Sequence, residues 1–106
     1  MDFQMVFSGK YDNESWVDYK KELKVFLKDC FDHHDCNGAL DSDLMEKVED
    51  ALNIIIGFSG QYSNDQEWTK LHKYLNFLYV GIPQDIENAK ADFYQLYQNE
   101  TPQNTG

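Results

Sequence analysis

The spacing of apolar residues is the feature that most restricts the fold, because in four stretches it recurs every three or four positions. This period places side chains on one face of an α-helix. We predict helices over Glu14–Phe31, from Asp41 or Ser42 to Gly57, over about Asn64–Val80 and over about residues 83–98, with residues 58–64 as a loop. Amphipathic helices joined by short connections predict an all-α fold, a small antiparallel four-helix bundle.

Capping residues and helix-breaking residues set the expected boundaries. Asn13 or Ser15 is the expected N-cap of the first helix. Gly57 is expected to end the second helix as a left-handed C′ residue, and Gly81 to end the third. Pro83 suits the first turn of the fourth helix, where no backbone N–H is needed.

The apolar stripes define the expected core. They contain Trp16, Tyr19, Leu23, Phe26, Leu27 and Cys30 in the first helix, Leu44, Val48, Ala51, Leu52, Ile55 and Ile56 in the second, Trp68, Leu71, His72, Leu75, Leu78 and Tyr79 in the third, and Ile86, Ala89, Phe93, Leu96 and Tyr97 in the fourth. Four further aromatic residues exceed what these stripes need, namely Tyr62, Tyr74, Phe77 and Tyr94. Surplus aromatic side chains are typical of protein interfaces.

The two ends of the chain lack the helical period. Phe3, Met5 and Phe7 alternate with polar residues, which predicts a short extended segment over residues 1–13. The last residues, 99–106, are expected to form a flexible tail. A chain of 106 residues is expected to form a single domain.

Charge and cysteine content restrict the class of protein. The net charge is −10, the sequence pI is about 4.4 and arginine is absent, so direct binding of nucleic acid is not expected. Neither an export signal nor a long apolar run is evident, and we expect a cytoplasmic protein that does not associate with membranes. The two cysteines are then expected to be reduced.

One acidic stretch, residues 29–50, holds eight of the 19 carboxylates and a single base, Lys47. By contrast, the charges of the first helix cancel. The candidate partner-binding carboxylates are Asp32, Asp35, Asp41, Asp43, Glu46, Glu49 and Asp50. They extend over about 20 to 25 Å at the rise of a helix, and their spacing resembles one edge of a nucleic-acid backbone.

This stretch favours recognition of a basic protein. Like charges three or four positions apart disfavour a helix, so their retention suggests a function. We expect a small acidic inhibitor that binds and occludes a basic, nucleic-acid-binding enzyme, with Tyr74 and Phe77 as apolar anchors. Such a protein would be a toxin immunity protein or antitoxin, or a phage anti-defence protein that mimics DNA.

Two other functions fit the same residues. Cys30, His33, His34 and Cys36 have spacing suitable for zinc, which would make the chain a metal-binding helical bundle. Alternatively, the chain could be an adaptor that forms a homodimer through residues 3–7 or through Tyr74 and Phe77.

Two further classes are not expected. Residues 32–43 have the length of an EF-hand calcium loop, but neither alignment of that loop supplies its bidentate glutamate. The chain contains no P-loop, H-E-x-x-H or G-x-S-x-G motif, and we expect neither an enzyme nor a bound cofactor.

Overall fold

The computed structural model describes residues 11–98, and this part of the chain contains five helices and no strand. The helices are α1 (Asn13–Asn37), α2 (Ser42–Gly57), α3 (Ser59–Tyr62), α4 (Gln66–Val80) and α5 (Pro83–Gln98). The all-α prediction is confirmed for these residues, whereas the antiparallel four-helix bundle stays a prediction. Most of the predicted extended segment, residues 1–13, and the predicted tail, residues 99–106, lie outside the described residues.

Helix α1 is longer than predicted at its C-terminal end. It continues past Phe31 to Asn37, because the fully buried Phe31 and the buried His34 keep one side of this turn against the core. Gly38 then adopts a φ of 78° and its N–H donates to the His34 carbonyl at 2.8 Å, which closes the helix. The predicted end of the first helix at Phe31 is therefore wrong.

The predicted N-cap of α1 is also wrong. Asp12 caps the helix instead, because its carboxylate accepts a hydrogen bond of 2.9 Å from the Ser15 N–H. This contact satisfies one of the backbone donors that a helix start leaves without a partner.

The predicted loop over residues 58–64 contains the short helix α3. Phe58 precedes it and is fully buried, with its ring 4.9 Å from that of Trp16 and 5.6 Å from that of Tyr19. Burial of Phe58 keeps the connection close to the core. Helix α4 then begins at Gln66 rather than near Asn64, with Asp65 as its N-cap.

Gly57 has a different role from the one predicted. Positive φ angles among the described residues occur at Gly38 and Gly81, so Gly81 ends α4 as expected but Gly57 does not end α2 in this way. The Tyr11 ring lies directly against Gly57, in the space that a Cβ atom would occupy. Glycine at this position permits the close approach of an aromatic ring to the helix backbone.

Most of the predicted core is confirmed, but the assignment of three residues to it is wrong. Ile56, Tyr79 and Leu96 are exposed rather than buried. In α2 the buried face centred on Val48 takes in Ile54 in place of Ile56.

The helices are joined by polar contacts as well as by the apolar core. The Tyr19 hydroxyl donates to the Ala51 carbonyl at 2.6 Å, which links α1 to α2. The Trp68 indole N–H donates to the Ile55 carbonyl at 2.7 Å, which links α4 to α2. None of the helices over residues 11–98 has the length and apolar character needed to cross a membrane.

Candidate partner-binding surface

Two carboxylates of the acidic stretch lie on the side of α1 that contacts α5. Asp32 accepts hydrogen bonds from the Lys28 ammonium at 3.0 Å and from the Tyr94 hydroxyl at 2.7 Å. Asp35 forms an ion pair of 2.8 Å with Lys90. These two candidate residues are therefore already paired within the chain.

The same contacts shift the pKa values of the groups involved. The hydrogen bonds from Tyr94 and then Lys28 lower the pKa of Asp32. Burial and the hydrogen bond to Asp32 raise the pKa of Tyr94 to about 12. The hydrogen bond to Asp35 raises the pKa of Lys90. The folded protein thus favours the charged forms of Asp32 and Lys90.

The next two carboxylates also have partners. Asp41 is the N-cap of α2 and accepts a hydrogen bond of 2.8 Å from the Leu44 N–H, while its other oxygen lies 3.8 Å from Nε2 of His33. Asp43 forms an ion pair of 3.2 Å with Lys47, one turn further along α2. Asp41 consequently has a structural role at the start of the helix.

The remaining three candidates, Glu46, Glu49 and Asp50, lie on the outer side of α2. Glu46 and Glu49 are exposed and Asp50 is half-buried. None of the three forms an ion pair with another residue of the described range. These three are therefore the residues of the predicted site whose negative charge no other described residue neutralises.

The structure separates the charges of α1, although they cancel over the predicted helix, residues 14–31. The Lys20 and Lys24 ammonium groups lie 2.9 Å and 2.8 Å from the carboxylate of Glu67 in α4. Lys20 is also 3.6 Å from Asp65. Two of the helix's lysines are therefore held on the side of α1 that faces α4.

The carboxylates Asp18, Glu22 and Asp29 lie on a different side of α1. Their spacing of four and seven positions places them on one face, next to Tyr19 and His33, which contact α2. They form no ion pair within residues 11–98. We call these three and Glu46, Glu49 and Asp50 the α1–α2 acidic surface, a set defined as the carboxylates of the two helices that form no ion pair within residues 11–98 and have no structural role at a helix end. Its α1 half was missed because charge was summed along the helix instead of being assigned to faces.

The expected aromatic anchors differ in accessibility. Tyr74 is fully buried and its hydroxyl donates to Asp92 at 2.5 Å, so a partner cannot reach it in this structure. Phe77 is half-buried and packs against the core. Tyr79, which was expected in the core, is 46% exposed.

The four candidate zinc ligands are not brought together. Cys30 is fully buried, whereas Cys36 is exposed. Burial, followed by the nearby charges of Asp29 and Asp41, raises the pKa of the Cys30 thiol to about 12 and disfavours the thiolate that zinc requires. The described residues contain no group of three or more potential ligands that could hold a metal ion. The described residues therefore do not support the zinc alternative.

Comparison with known proteins gives no relative. No protein-family model, no curated protein and no solved structure matches the chain.

Proposed function

We propose that the protein is a small acidic inhibitor that acts in the cytoplasm by binding and occluding the basic cleft of a nucleic-acid-binding enzyme. Its biological role would be that of an immunity protein or antitoxin for a nuclease-type toxin, or of a phage anti-defence protein that mimics DNA. The supporting observation is the α1–α2 acidic surface, whose six carboxylates form no ion pair within the described residues.

Electrostatics explains why such a surface suits this role. The 16 residues of α2 extend over about 24 Å, which is long enough to face several lysines or arginines of a cleft. Charges of one sign on a protein surface attract an oppositely charged partner and speed its association. Glu46 also repels Glu49 and Asp50, which follow it by three and four positions, and a basic partner would relieve this repulsion.

The proposal retains part of the predicted site. Glu46, Glu49 and Asp50 are the primary contacts, and Asp18, Glu22 and Asp29 extend them. Phe77 stays an aromatic candidate, and Tyr79 replaces Tyr74. The long helices, in the predicted antiparallel arrangement, would act as the scaffold.

The test begins with identification of the partner by affinity capture with the full chain, followed by kinetics on the purified pair. The variant Glu46→Gln/Glu49→Gln removes two charges from the acidic surface. Its matched control, Glu14→Gln/Asp85→Asn, removes two charges from the first turns of α1 and α5. We expect the first variant to slow association markedly and the control to change it little, because nearby charges dominate steering.

Salt and nucleic acid supply independent measurements. Association should slow as salt rises from about 50 to 500 mM, over which range screening shortens the reach of charges. DNA or RNA that occupies the partner's cleft should compete with the protein. A captured partner that is not basic, or one whose binding ignores salt and both variants, would contradict the proposal. Circular dichroism should show unchanged helix content in both variants.

A further inference from the structure

Helix α5 lies along the acidic C-terminal half of α1 and contacts it through polar side chains on successive turns. Lys90 pairs with Asp35 at 2.8 Å, and the Tyr94 hydroxyl donates to Asp32 at 2.7 Å. One turn further along α5, the centre of the Tyr97 ring lies 4.6 Å from the ammonium group of Lys24 in α1. Polar groups of α5 thus contact two of the carboxylates predicted to bind a partner.

The groups that α5 supplies are those that a basic protein would supply. An ammonium group and a phenolic hydroxyl satisfy a carboxylate in the same way whether they come from the same chain or from another. We propose that Lys90 and Tyr94 bind Asp35 and Asp32 in the free protein and that a basic partner displaces them when it binds. We call Lys90 and Tyr94 the internal occupant of these two carboxylates. This inference rests on the proposed function, because it describes the regulation of one end of the same acidic stretch.

The contacts that Asp32 and Asp35 make with α5 can be exchanged for contacts with a partner. The side chains of Asp32 and Asp35 are 53% and 58% exposed, although that of Lys90 is 22% exposed, and ion pairs with an exposed carboxylate contribute little to stability. Lys90 also has a second carboxylate nearby, since Glu87 lies 3.7 Å from its ammonium group. When Lys90 releases Asp35, it can therefore keep an ion pair within its own helix.

Exchange does not require α5 to leave the protein. Ile86, Ala89 and Phe93 of α5 are buried in the core, and the Tyr74 hydroxyl donates to Asp92. These contacts lie on the inner side of α5. Movement of the Lys90 side chain frees Asp35, and Asp32 is freed when the half-buried Tyr94 side chain and Lys28 release it. The internal occupant can therefore weaken binding without destabilising the fold.

The test compares two lysine variants that change the net charge equally. Lys90→Gln removes the occupant of Asp35. Lys73→Gln is the control, because Lys73 is exposed on α4 and forms no ion pair within residues 11–98. The probe is dodecalysine, with binding measured by calorimetry at low salt. We expect Lys90→Gln to bind dodecalysine about two- to fivefold more tightly than Lys73→Gln does, as loss of competition from one exposed ion pair predicts.

Two additional measurements separate the possible outcomes. Asp35→Asn should abolish the advantage of Lys90→Gln. In the absence of any peptide, Tyr94→Phe should raise the pKa of Asp32 measured by NMR, since the hydrogen bond from Tyr94 is the main cause that lowers it. An unchanged pKa of Asp32 would overturn the assignment of Tyr94 as its occupant.

Failure of this inference differs from failure of the proposed function. Equal gains for Lys90→Gln and Lys73→Gln would overturn the internal occupant while leaving the acidic inhibitor intact. If neither the unmodified protein nor Lys90→Gln binds dodecalysine in a salt-dependent way, both proposals are overturned.

Discussion

Glu67 should contribute more to stability than any fully exposed carboxylate, because it joins α4 to two lysines of α1. Its oxygens lie 2.9 Å from the Lys20 ammonium and 2.8 Å from that of Lys24. The side chains of Lys20, Lys24 and Glu67 are 18%, 23% and 31% exposed, so these pairs are partly shielded from water. Glu67→Gln keeps the shape of the side chain and removes its charge.

The expected cost lies between two limits. A hydrogen bond to a charged group contributes about 1.5 to 3 kcal/mol, whereas an exposed ion pair contributes about 0 to 1 kcal/mol. With intermediate exposure we take about 1 kcal/mol for each lysine, which gives about 2 kcal/mol for Glu67→Gln. In a chain of this size that loss should lower Tm by about 10 °C.

The pH dependence of stability provides a second test of the contribution of Glu67. Burial opposes ionisation of Glu67, but the hydrogen bonds from Lys24 and Lys20 outweigh it and hold the pKa of this carboxyl below its ordinary value. A lowered pKa contributes stability that is fully present above the unfolded pKa of about 4.3 and is lost as pH falls through the lower folded pKa. The stability difference between the unmodified protein and Glu67→Gln should therefore shrink below about pH 4.

Chemical denaturation at neutral and acidic pH checks both expectations. Glu14→Gln is the control, because Glu14 is exposed in the first turn of α1, and it should change stability by less than about 0.5 kcal/mol. If Glu67→Gln costs no more than the control at neutral pH, or if the difference persists unchanged in acid, the reasoning from these two ion pairs is refuted.

Three other experiments test the core, a helix end and the cysteines. Phe31→Ala should cost about 3 to 5 kcal/mol by urea denaturation because Phe31 is fully buried, and a cost as small as that of the exposed Val25→Ala would contradict the described core. Gly81→Ala should cost about 1 kcal/mol in the same assay because φ is 83° at this residue, and a neutral effect would contradict the left-handed helix end. Cys36 should react with a thiol reagent in the native protein and Cys30 only after unfolding, so two fast-reacting thiols per chain would contradict the burial of Cys30.

The helices were predictable because local patterns determine most of their boundaries. The spacing of residues such as Leu23 and Leu71 identified buried faces, and Gly81 marked the end of α4. The end of α1 could not be read in this way. Its last turns are mostly polar, and they stay helical because Phe31 and His34 are buried in the core. This burial depends on the other helices and is not visible in the local sequence.

The candidate site was less predictable because ion pairs form between distant parts of the chain. Lys90 and Asp35 are 55 positions apart, and nothing in the acidic stretch indicates that α5 will reach it. Tyr74 was assigned to the surface because it exceeds the apolar stripe of its helix. The burial of Tyr74 depends on Asp92 in another helix, which accepts a hydrogen bond from the tyrosine hydroxyl.

The continuation of α1 through Asn37 has a consequence for the energetics of recognition. Residues 32–37 already have a fixed helical backbone, and residues 38–41 are the whole connection to α2. Fixing the backbone of one flexible residue costs about 1 to 2 kcal/mol of conformational entropy. A ligand that docks against this end of the protein would meet a preorganised array of oxygen atoms, and its affinity would not be reduced by the ordering of a loop.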